Sequence, residues 1–140
     1  MKRILVPLDE SEQAWEALEF ALSEFPNAEI TVIRVIDPIE AGYSADATGF
    51  GVAEDWFDQA KASAQALFDD AQEVADRHGV DLERVVEVGR PARTIVDYAD
   101  ESADQIVMGS HGRSGVSRIL LGSVAESVAR RATVPVTIVR

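Results

Sequence analysis

Five short apolar runs alternate along this chain with segments whose apolar residues recur at helical spacing. The first run is continuous, since Ile4, Leu5 and Val6 follow one another, and this is typical of a parallel strand covered on both faces. Strands are predicted at 2–8, 29–36, 82–88, 105–108 and 134–139. Helices are predicted from Ser11 to Phe25, from about Glu54 to His78, around Ile95, and from Ser117 or Ser123 to Ala132. Strands and helices in alternation specify an α/β fold, in which a parallel sheet carries helices on both faces.

The composition favours one domain spanning residues 1–140. Hydrophobic residues make up 46% of the chain, which is enough to form a core. The absence of cysteine excludes disulfides and thiolate metal sites, and two histidines are too few for a histidine-rich metal site. The start of the chain lacks the pattern of a signal peptide, and no apolar stretch approaches membrane-spanning length. We therefore expect a cytoplasmic protein with no membrane partner.

The net charge of the chain is −12, and only two of its 13 cationic residues are lysines. A charge of this sign argues against nucleic acid as a partner, because binding to phosphate backbones requires a basic surface. An acidic, lysine-poor composition also suggests an intracellular milieu of high salt, where repulsion between like charges is screened.

One stretch, from Ile106 to Val128, carries the strongest functional signal. Its apolar run ends abruptly at Gly109, further glycines and small polar residues follow, and Ser123 then opens a pattern of helical period. This order predicts a buried strand, a glycine-rich turn and a helix that begins with a hydroxyl at or near its N-cap. Glycines allow positive φ angles and close approach of backbone N–H groups to an anion, and a helix N-terminus adds unpaired donors. The stretch therefore predicts a phosphate site, to which Arg113 could add charged donors.

The alternative for this stretch is a tight strand-to-helix connection whose glycines serve only turn geometry. The distribution of charge favours the phosphate site. Residues 1–108 contain eight Lys or Arg against 24 Asp or Glu, a balance of −16, whereas residues 109–140 contain five Arg against one acid, a balance of +4. An anion would therefore meet the least repulsive surface near the glycines. The arginines at 130, 131 and 140 could equally lie at a helix end or an interface.

The predicted sheet places further residues near this stretch. In open α/β sheets, ligands bind beyond the carboxyl ends of the strands, at the point where strand order reverses. The ends of the first, second and fourth strands are therefore candidate walls; they carry Pro7, Leu8 and Asp9, then Val35, Ile36 and Asp37, then Met108. A long loop is predicted from Asp37 to about Ala53, and long loops within compact domains often belong to binding sites.

The glycines have a regular spacing: two residues separate Gly109 from Gly112, nine separate Gly112 from Gly122, and Ser123 follows. Outside them the chain opens with Ile-Leu-Val-Pro-Leu-Asp, carries Val-Ile-Asp after the second strand and Val-Gly-Arg-Pro near position 90, and closes with Val-Pro-Val-Thr-Ile-Val. Together these features resemble the universal stress protein family, and specifically its ATP-binding branch. The resemblance spans nearly the whole chain.

The resemblance implies an open five-stranded sheet in the order 3-2-1-4-5 and a homodimer paired through the final strands. It also implies ATP or a related adenine nucleotide as ligand, with Mg²⁺ or Mn²⁺. Pro7, Leu8 and Asp9 would line the adenosine pocket, with Asp9 near the ribose or the cation. Val35 would offer backbone hydrogen bonds to adenine, since its side chain can form none, and Met108 would lie beside the base or ribose. The phosphates would be wrapped by Gly109, Ser110, His111, Gly112, Arg113, Ser114 and Gly115, and closed over by Gly122, Ser123, Val124 and Ala125.

Alternatives remain for two of these residues. Asp9 could instead cap the first helix, in competition with Ser11. His111 is better interpreted as a loop residue near the phosphates than as a general base, because it has no positioned partner in the sequence. The chain also lacks the Gly-x-x-x-x-Gly-Lys-Ser/Thr motif of P-loop NTPases.

The missing motif favours nucleotide binding without efficient turnover, and the resemblance implies that this binding occurs in a dimeric regulator of a stress response. A slow ATPase or phosphotransferase that uses the same pocket is a second hypothesis. A ligand-independent dimeric scaffold is a third.

Overall fold

The sheet is parallel and five-stranded, as the sequence predicts, with strand order β3-β2-β1-β4-β5. This computed structural model describes residues 1–39, 50–110 and 121–140, with the backbone alone for 50–53. The strands are β1 Arg3–Pro7, β2 Glu29–Ile36, β3 Glu83–Val88, β4 Gln105–Gly109 and β5 Val136–Val139. The helices within the described ranges are α1 Glu12–Glu24, α2 Phe50–Asp76, α3 Pro91–Ser102 and α4 Ser123–Arg131. None of these helices is long and apolar enough to span a bilayer.

The core lies on both faces of the sheet, which explains the continuous apolar runs. On β1, Ile4 and Val6 pack against α1 and α2, whereas Leu5 between them packs against α3 and α4. All three side chains are at most 1% exposed. Because successive side chains of a strand point to opposite faces, a strand covered on both sides needs apolar residues at every position.

The starts of α1 and α2 can be compared with those predicted from the sequence. At α1, Ser11 is the N-cap and accepts a hydrogen bond from the backbone N–H of Ala14 at 3.2 Å. The predicted start of α2 near Glu54 is wrong, because the helix already begins at Phe50. The long loop predicted from Asp37 to about Ala53 is therefore wrong for its last four residues, and residues 40–49 lie outside the described ranges.

The tryptophan on α2 does not belong to the core. Trp56 is half-buried and lies in neither hydrophobic cluster formed by the described residues. Among the described side chains of α2, the first buried one is Ala64, and Phe68 follows on the same face. Trp15 on α1 is also half-buried but packs against the cluster beneath α1 and α2. The helical spacing of the apolar residues predicts a core position for both tryptophans, and this prediction is wrong for Trp56.

Two turns follow the carboxyl ends of central strands and form the edge of the sheet where a ligand is expected. After β1, the N–H of Leu8 donates to the carbonyl of Ile33 at 2.9 Å, which is the last contact of β1 with β2. After β4, the N–H of Ser110 donates to the carbonyl of Val139 at 2.8 Å. The strand order reverses between β1 and β4 at this edge, which is the position at which open α/β sheets bind ligands.

Candidate functional site

A cavity of about 260 Å³ lies at the carboxyl ends of β1, β2 and β4. Its walls come from the turn after β1, the end of β2, the end of β4 and the first turns of α3 and α4. Eleven residues named from the sequence line it: Pro7, Leu8, Asp9, Val35, Met108, Gly109, Ser110, Gly122, Ser123, Val124 and Ala125. Segments distant in the sequence thus meet in one concave site. The five other predicted residues, His111, Gly112, Arg113, Ser114 and Gly115, lie outside the described ranges.

Asp9 is oriented by the turn that precedes α1. Its Oδ1 atom accepts a hydrogen bond from the N–H of Ser11 at 2.8 Å and another from the Ser11 hydroxyl. Ser11 in turn caps α1, so Asp9 is not the N-cap. The second carboxylate oxygen, Oδ2, has no hydrogen-bond partner among the described residues. A half-buried carboxylate with one oxygen fixed and the other available can accept a hydrogen bond from a hydroxyl group or bind a cation.

The two ends of the glycine-rich segment meet at the cavity. The carbonyl of Ser110 accepts a hydrogen bond from the N–H of Gly122 at 2.8 Å. The Ser110 residue itself is only 4% exposed. Ser110 and Gly122, the described residues on either side of this segment, therefore both lie at the cavity wall.

The amino end of α4 faces the cavity without a side-chain cap. Gly122 is the N-cap, with φ −63° and ψ 156°, and Ser123 is the first helical residue. The first helical hydrogen bond joins the N–H of Glu126 to the carbonyl of Gly122 at 2.9 Å. The N–H groups of Ser123, Val124 and Ala125 therefore have no acceptor within the helix. Such N–H groups at the start of a helix attract anions.

The glycines at positions 109 and 122 do not use the conformation that was expected of them. Among the described glycines, only Gly79 and Gly89 have positive φ. Gly109 is instead the last residue of β4, and a β-carbon there would lie 2.8 Å from the backbone carbonyl carbon of Gln13. Its small size allows α1 to pack closely against the end of β4.

Comparison with models of known protein families shows to which family this chain belongs. The model of the universal stress protein family matches residues 1–140. The chain belongs to the universal stress protein family. Universal stress protein MJ0531 of Methanocaldococcus jannaschii is 35% identical over 144 residues, which cover 99% of this chain and 82% of that relative.

Solved structures of the family share the fold. The structure of MJ0577, also from Methanocaldococcus jannaschii, has a TM-score of 0.83 at 30% identity and covers 99% of this chain and 94% of its own. A universal stress protein crystallised in complex with cAMP has a TM-score of 0.72 at 30% identity, with 99% and 97% covered. Both similarities extend over nearly the entire chain.

Several residues of this universal stress protein line the cavity without having been named as site residues from the sequence. They are Ser11, Ala14, Ile33, Arg34, Pro91 and Ile95, together with Asp37, which was expected only as a wall. Pro91 belongs to the Val-Gly-Arg-Pro segment, so a family pattern could have indicated it. Arg34 and Ile95 carried no such signal, because one lies within a strand and the other on the apolar face of a helix. Ile36, also expected as a wall, does not line the cavity.

The charges at the cavity are mostly negative in the part of the chain that the structure describes. Asp9 and Asp37 both line it, and Asp37 accepts a hydrogen bond from the N–H of Ile39 at 2.9 Å. Arg34 is the lining cation, but its guanidinium lies 3.7 Å from the carboxylate of Glu10. No group of three acidic, histidine or cysteine side chains among the described residues could hold a metal ion.

Proposed function

We propose that this universal stress protein binds an adenine nucleotide, ATP or a close relative, in the cavity at the carboxyl ends of β1, β2 and β4. The observation that carries the proposal is that the described residues of the nucleotide-binding pattern all line one cavity. The relative crystallised with cAMP adds support, since it shares both the fold and 30% of its residues with this chain.

In this proposal adenine binds at the end of β2, where its edge pairs with the backbone of Val35. The ladder between β1 and β2 ends at the pair Pro7 and Ile33, with one further bond from Leu8 to the Ile33 carbonyl. Backbone groups alternate along a strand, so those of Val35 face the same side as those of Ile33. The backbone N–H and carbonyl of Val35 lie beyond the last hydrogen bond between β1 and β2. The edge of a purine can therefore form hydrogen bonds with them in place of a neighbouring strand.

The ribose and phosphates then run from Asp9 to the start of α4. The available carboxylate oxygen of Asp9 accepts from a ribose hydroxyl. The uncapped first turn of α4, with Ser123 at its start, binds phosphate through backbone N–H groups and the helix dipole. The segment His111, Gly112, Arg113, Ser114 and Gly115 completes the phosphate site in this proposal.

Mg²⁺ or Mn²⁺ fits this site only as a companion of the nucleotide. Asp9 supplies a hard oxygen ligand, which suits either cation. Because no cluster of three ligating side chains occurs among the described residues, the remaining ligands are phosphate oxygens and water.

Binding is tested by isothermal titration of the purified protein with ATP and Mg²⁺, alongside thermal unfolding. Saturating nucleotide raises Tm, since a ligand of the folded state stabilises it by mass action. Gly122→Glu places a charged side chain in the cavity wall and abolishes both signals. Leu121→Glu, at a neighbouring residue that is exposed and does not line the cavity, retains them. Absence of heat and of any Tm shift in the unaltered protein at millimolar ATP refutes the proposal.

The same proposal includes a homodimer through β5, so that the nucleotide acts on a dimeric regulator. β5 lies at the outer edge of the described sheet, and its four residues are all partly exposed. The carbonyl of Pro135 accepts a hydrogen bond from Ile106 on β4, and that of Val139 accepts one from Ser110 just after β4. The backbone of Val136 therefore faces the open side. Within the part of the chain that the structure describes, no strand pairs with this side of β5. A largely apolar strand with one unpaired side is a ready template for pairing with a second copy.

The dimer is tested by light scattering coupled to size exclusion. Val136→Pro removes a donor from the open side of β5, and we expect it to give monomers. Val88→Pro is the matched control on β3, the strand at the opposite edge of the sheet. The N–H of Gly89 donates to Ile36 on β2, so the N–H of the preceding residue, Val88, faces away from β2 toward the open edge. A monomeric unaltered protein, or equal behaviour of the two variants, contradicts pairing through β5.

A further inference from the structure

An open groove of about 380 Å³ continues the cavity outward between the starts of α3 and α4. Four of its lining residues also line the cavity, namely Asp37, Pro91, Ser123 and Val124. The groove adds Ile39, Arg90 and Ala92. A ligand that reaches Ser123 from inside the cavity therefore has a path that leads past Arg90.

Arg90 is a cation without a partner in the part of the chain described. It is the N-cap of α3, with extended backbone angles of φ −77° and ψ 129°, and its side chain makes no capping hydrogen bond. It is exposed and forms no ion pair with a described carboxylate, although Asp37 lines the same groove. Arg93, one turn further along α3, instead lies 3.9 Å from Asp97.

The negative charge of the cavity lining repels a phosphate chain, and a nearby cation would reduce that repulsion. Its described lining holds the carboxylates Asp9 and Asp37, and the charge of Arg34 is shared with Glu10 at 3.7 Å. Each phosphate added to a nucleotide increases its repulsion from these carboxylates. An arginine at the exit of the cavity can offset that repulsion, because the guanidinium donates two parallel hydrogen bonds to phosphate oxygens.

We propose that Arg90 determines specificity for the length of the phosphate chain, by binding the outer phosphates of a nucleotide whose inner phosphate lies at the start of α4. This inference rests on the proposed function. Arg90 contributes to the affinity for ATP and contributes little to the affinity for AMP, whose single phosphate ends at Ser123.

The test is isothermal titration of AMP and ATP into the full chain and its Arg90→Gln variant, at one ionic strength. Losing a hydrogen bond to a charged group weakens ATP binding by about tenfold or more, whereas AMP binding changes by less than about twofold. Arg93→Gln removes the same charge from the same helix outside the groove and leaves both affinities unchanged. Arg90→Lys keeps the charge without the planar fork and gives an intermediate loss for ATP.

The outcomes separate this inference from the function on which it rests. If the unaltered protein binds neither nucleotide, the proposed function fails. If it binds both and Arg90→Gln leaves the ratio of ATP to AMP affinity unchanged, only the role of Arg90 is refuted. An equal loss of ATP affinity in Arg93→Gln also refutes it, since the effect is then one of overall charge. Because the exposed Arg90 side chain forms no hydrogen bond or ion pair with the described residues, we expect the variants to keep the Tm of the unliganded protein.

Discussion

A β-carbon at position 109 would lie 2.8 Å from the backbone carbonyl carbon of Gln13 and 2.9 Å from its oxygen. The first glycine of the Gly-x2-Gly-x9-Gly-Ser pattern is therefore fixed by the contact between β4 and the first turn of α1. The same α1 turn carries Ser11, which orients Asp9 at the cavity. One close backbone contact thus places two walls of the site relative to each other.

Gly109→Ala is expected to destabilise the protein by about 1–3 kcal/mol, the usual range for overpacking a tightly packed position. The added methyl group meets backbone atoms of Gln13, which cannot move without shifting α1. Urea denaturation gives the free energy of unfolding. Gly79→Asn is the control, because the space around Gly79 is open and Asn tolerates its positive φ of 69°. A Gly109→Ala variant as stable as the unaltered chain contradicts the packing argument.

Two aromatic residues of α2 are expected to differ sharply in their contribution to stability. Phe68 is fully buried against the sheet, so Phe68→Ala lowers the free energy of unfolding by about 3–5 kcal/mol. Trp56 is half-buried and lies outside both clusters, so Trp56→Ala lowers it by under about 1 kcal/mol. Both values come from the same denaturation experiment. Similar losses for the two variants would show that the first half of α2 is covered by a further partner.

The fold was predictable because its central strands are covered on both faces. A central parallel strand needs apolar residues at consecutive positions, and that pattern does not depend on knowledge of the neighbours. The amphipathic pattern of α2 is different. It begins well before Ala64, the first of the described α2 side chains that belongs to the core, so periodicity alone predicts a buried position for Trp56. Periodicity shows that a helix has an apolar face but not where the opposing surface ends.

The candidate site was predictable where it follows strand ends and glycines, and not elsewhere. Residues such as Asp9 and Met108 are adjacent to apolar runs, so topology alone brings them to one edge. Arg34 and Ile95 reach the cavity only through the way β2 and α3 are placed in three dimensions. The role of Gly109 was also hidden, since its reason is contact with α1, an element distant in the sequence.

The start of β1 is joined to the turn before β4 by a pair of residues whose effect depends on pH. Asp104 accepts hydrogen bonds from the Arg3 side chain and from the Arg3 backbone N–H at 2.8 Å. The side-chain bond, followed by the backbone bond, lowers the pKa of the Asp104 carboxyl below its ordinary value. The pair therefore stabilises the folded protein fully when the pH is above the ordinary pKa of about 3.9. This stabilisation is lost as the pH falls through the lower pKa that Asp104 has in the folded protein.

Asp104→Asn is accordingly expected to lower Tm near neutral pH and to have a diminishing effect as the pH falls below about 4. Scanning calorimetry across that range measures the difference. The control is Asp97→Asn, which removes a carboxylate from the wider, exposed pair with Arg93 at 3.9 Å and has little effect on Tm. A difference between Asp104→Asn and the unaltered protein that grows on acidification would refute this sign.

Nucleotide turnover is expected to be negligible. Incubation with ATP and Mg²⁺ should release phosphate at a rate that is the same for the unaltered protein, Asp9→Asn and Ser123→Ala. These two residues are the polar side chains proposed to meet the ribose, cation or phosphates, so a reaction in this cavity should be sensitive to them. Release that exceeds background and disappears in either variant would establish the slow ATPase instead. Release that persists in both variants would indicate a contaminating enzyme.

Salt is expected to stabilise this protein, because its net charge of −12 produces repulsion in the folded state. Raising KCl from about 0.01 M to about 1 M shortens the Debye length from about 30 Å to about 3 Å. We expect Tm to rise by about 3–4 °C, which corresponds to roughly 1 kcal/mol for a domain of this length. Reversing two exposed, unpaired charges on α2, Asp70→Lys and Glu73→Lys, changes the net charge from −12 to −8 and should reduce this dependence. Full stability after dialysis into very dilute buffer, or an equal salt response in the variant, would show that repulsion among these carboxylates does not limit the fold.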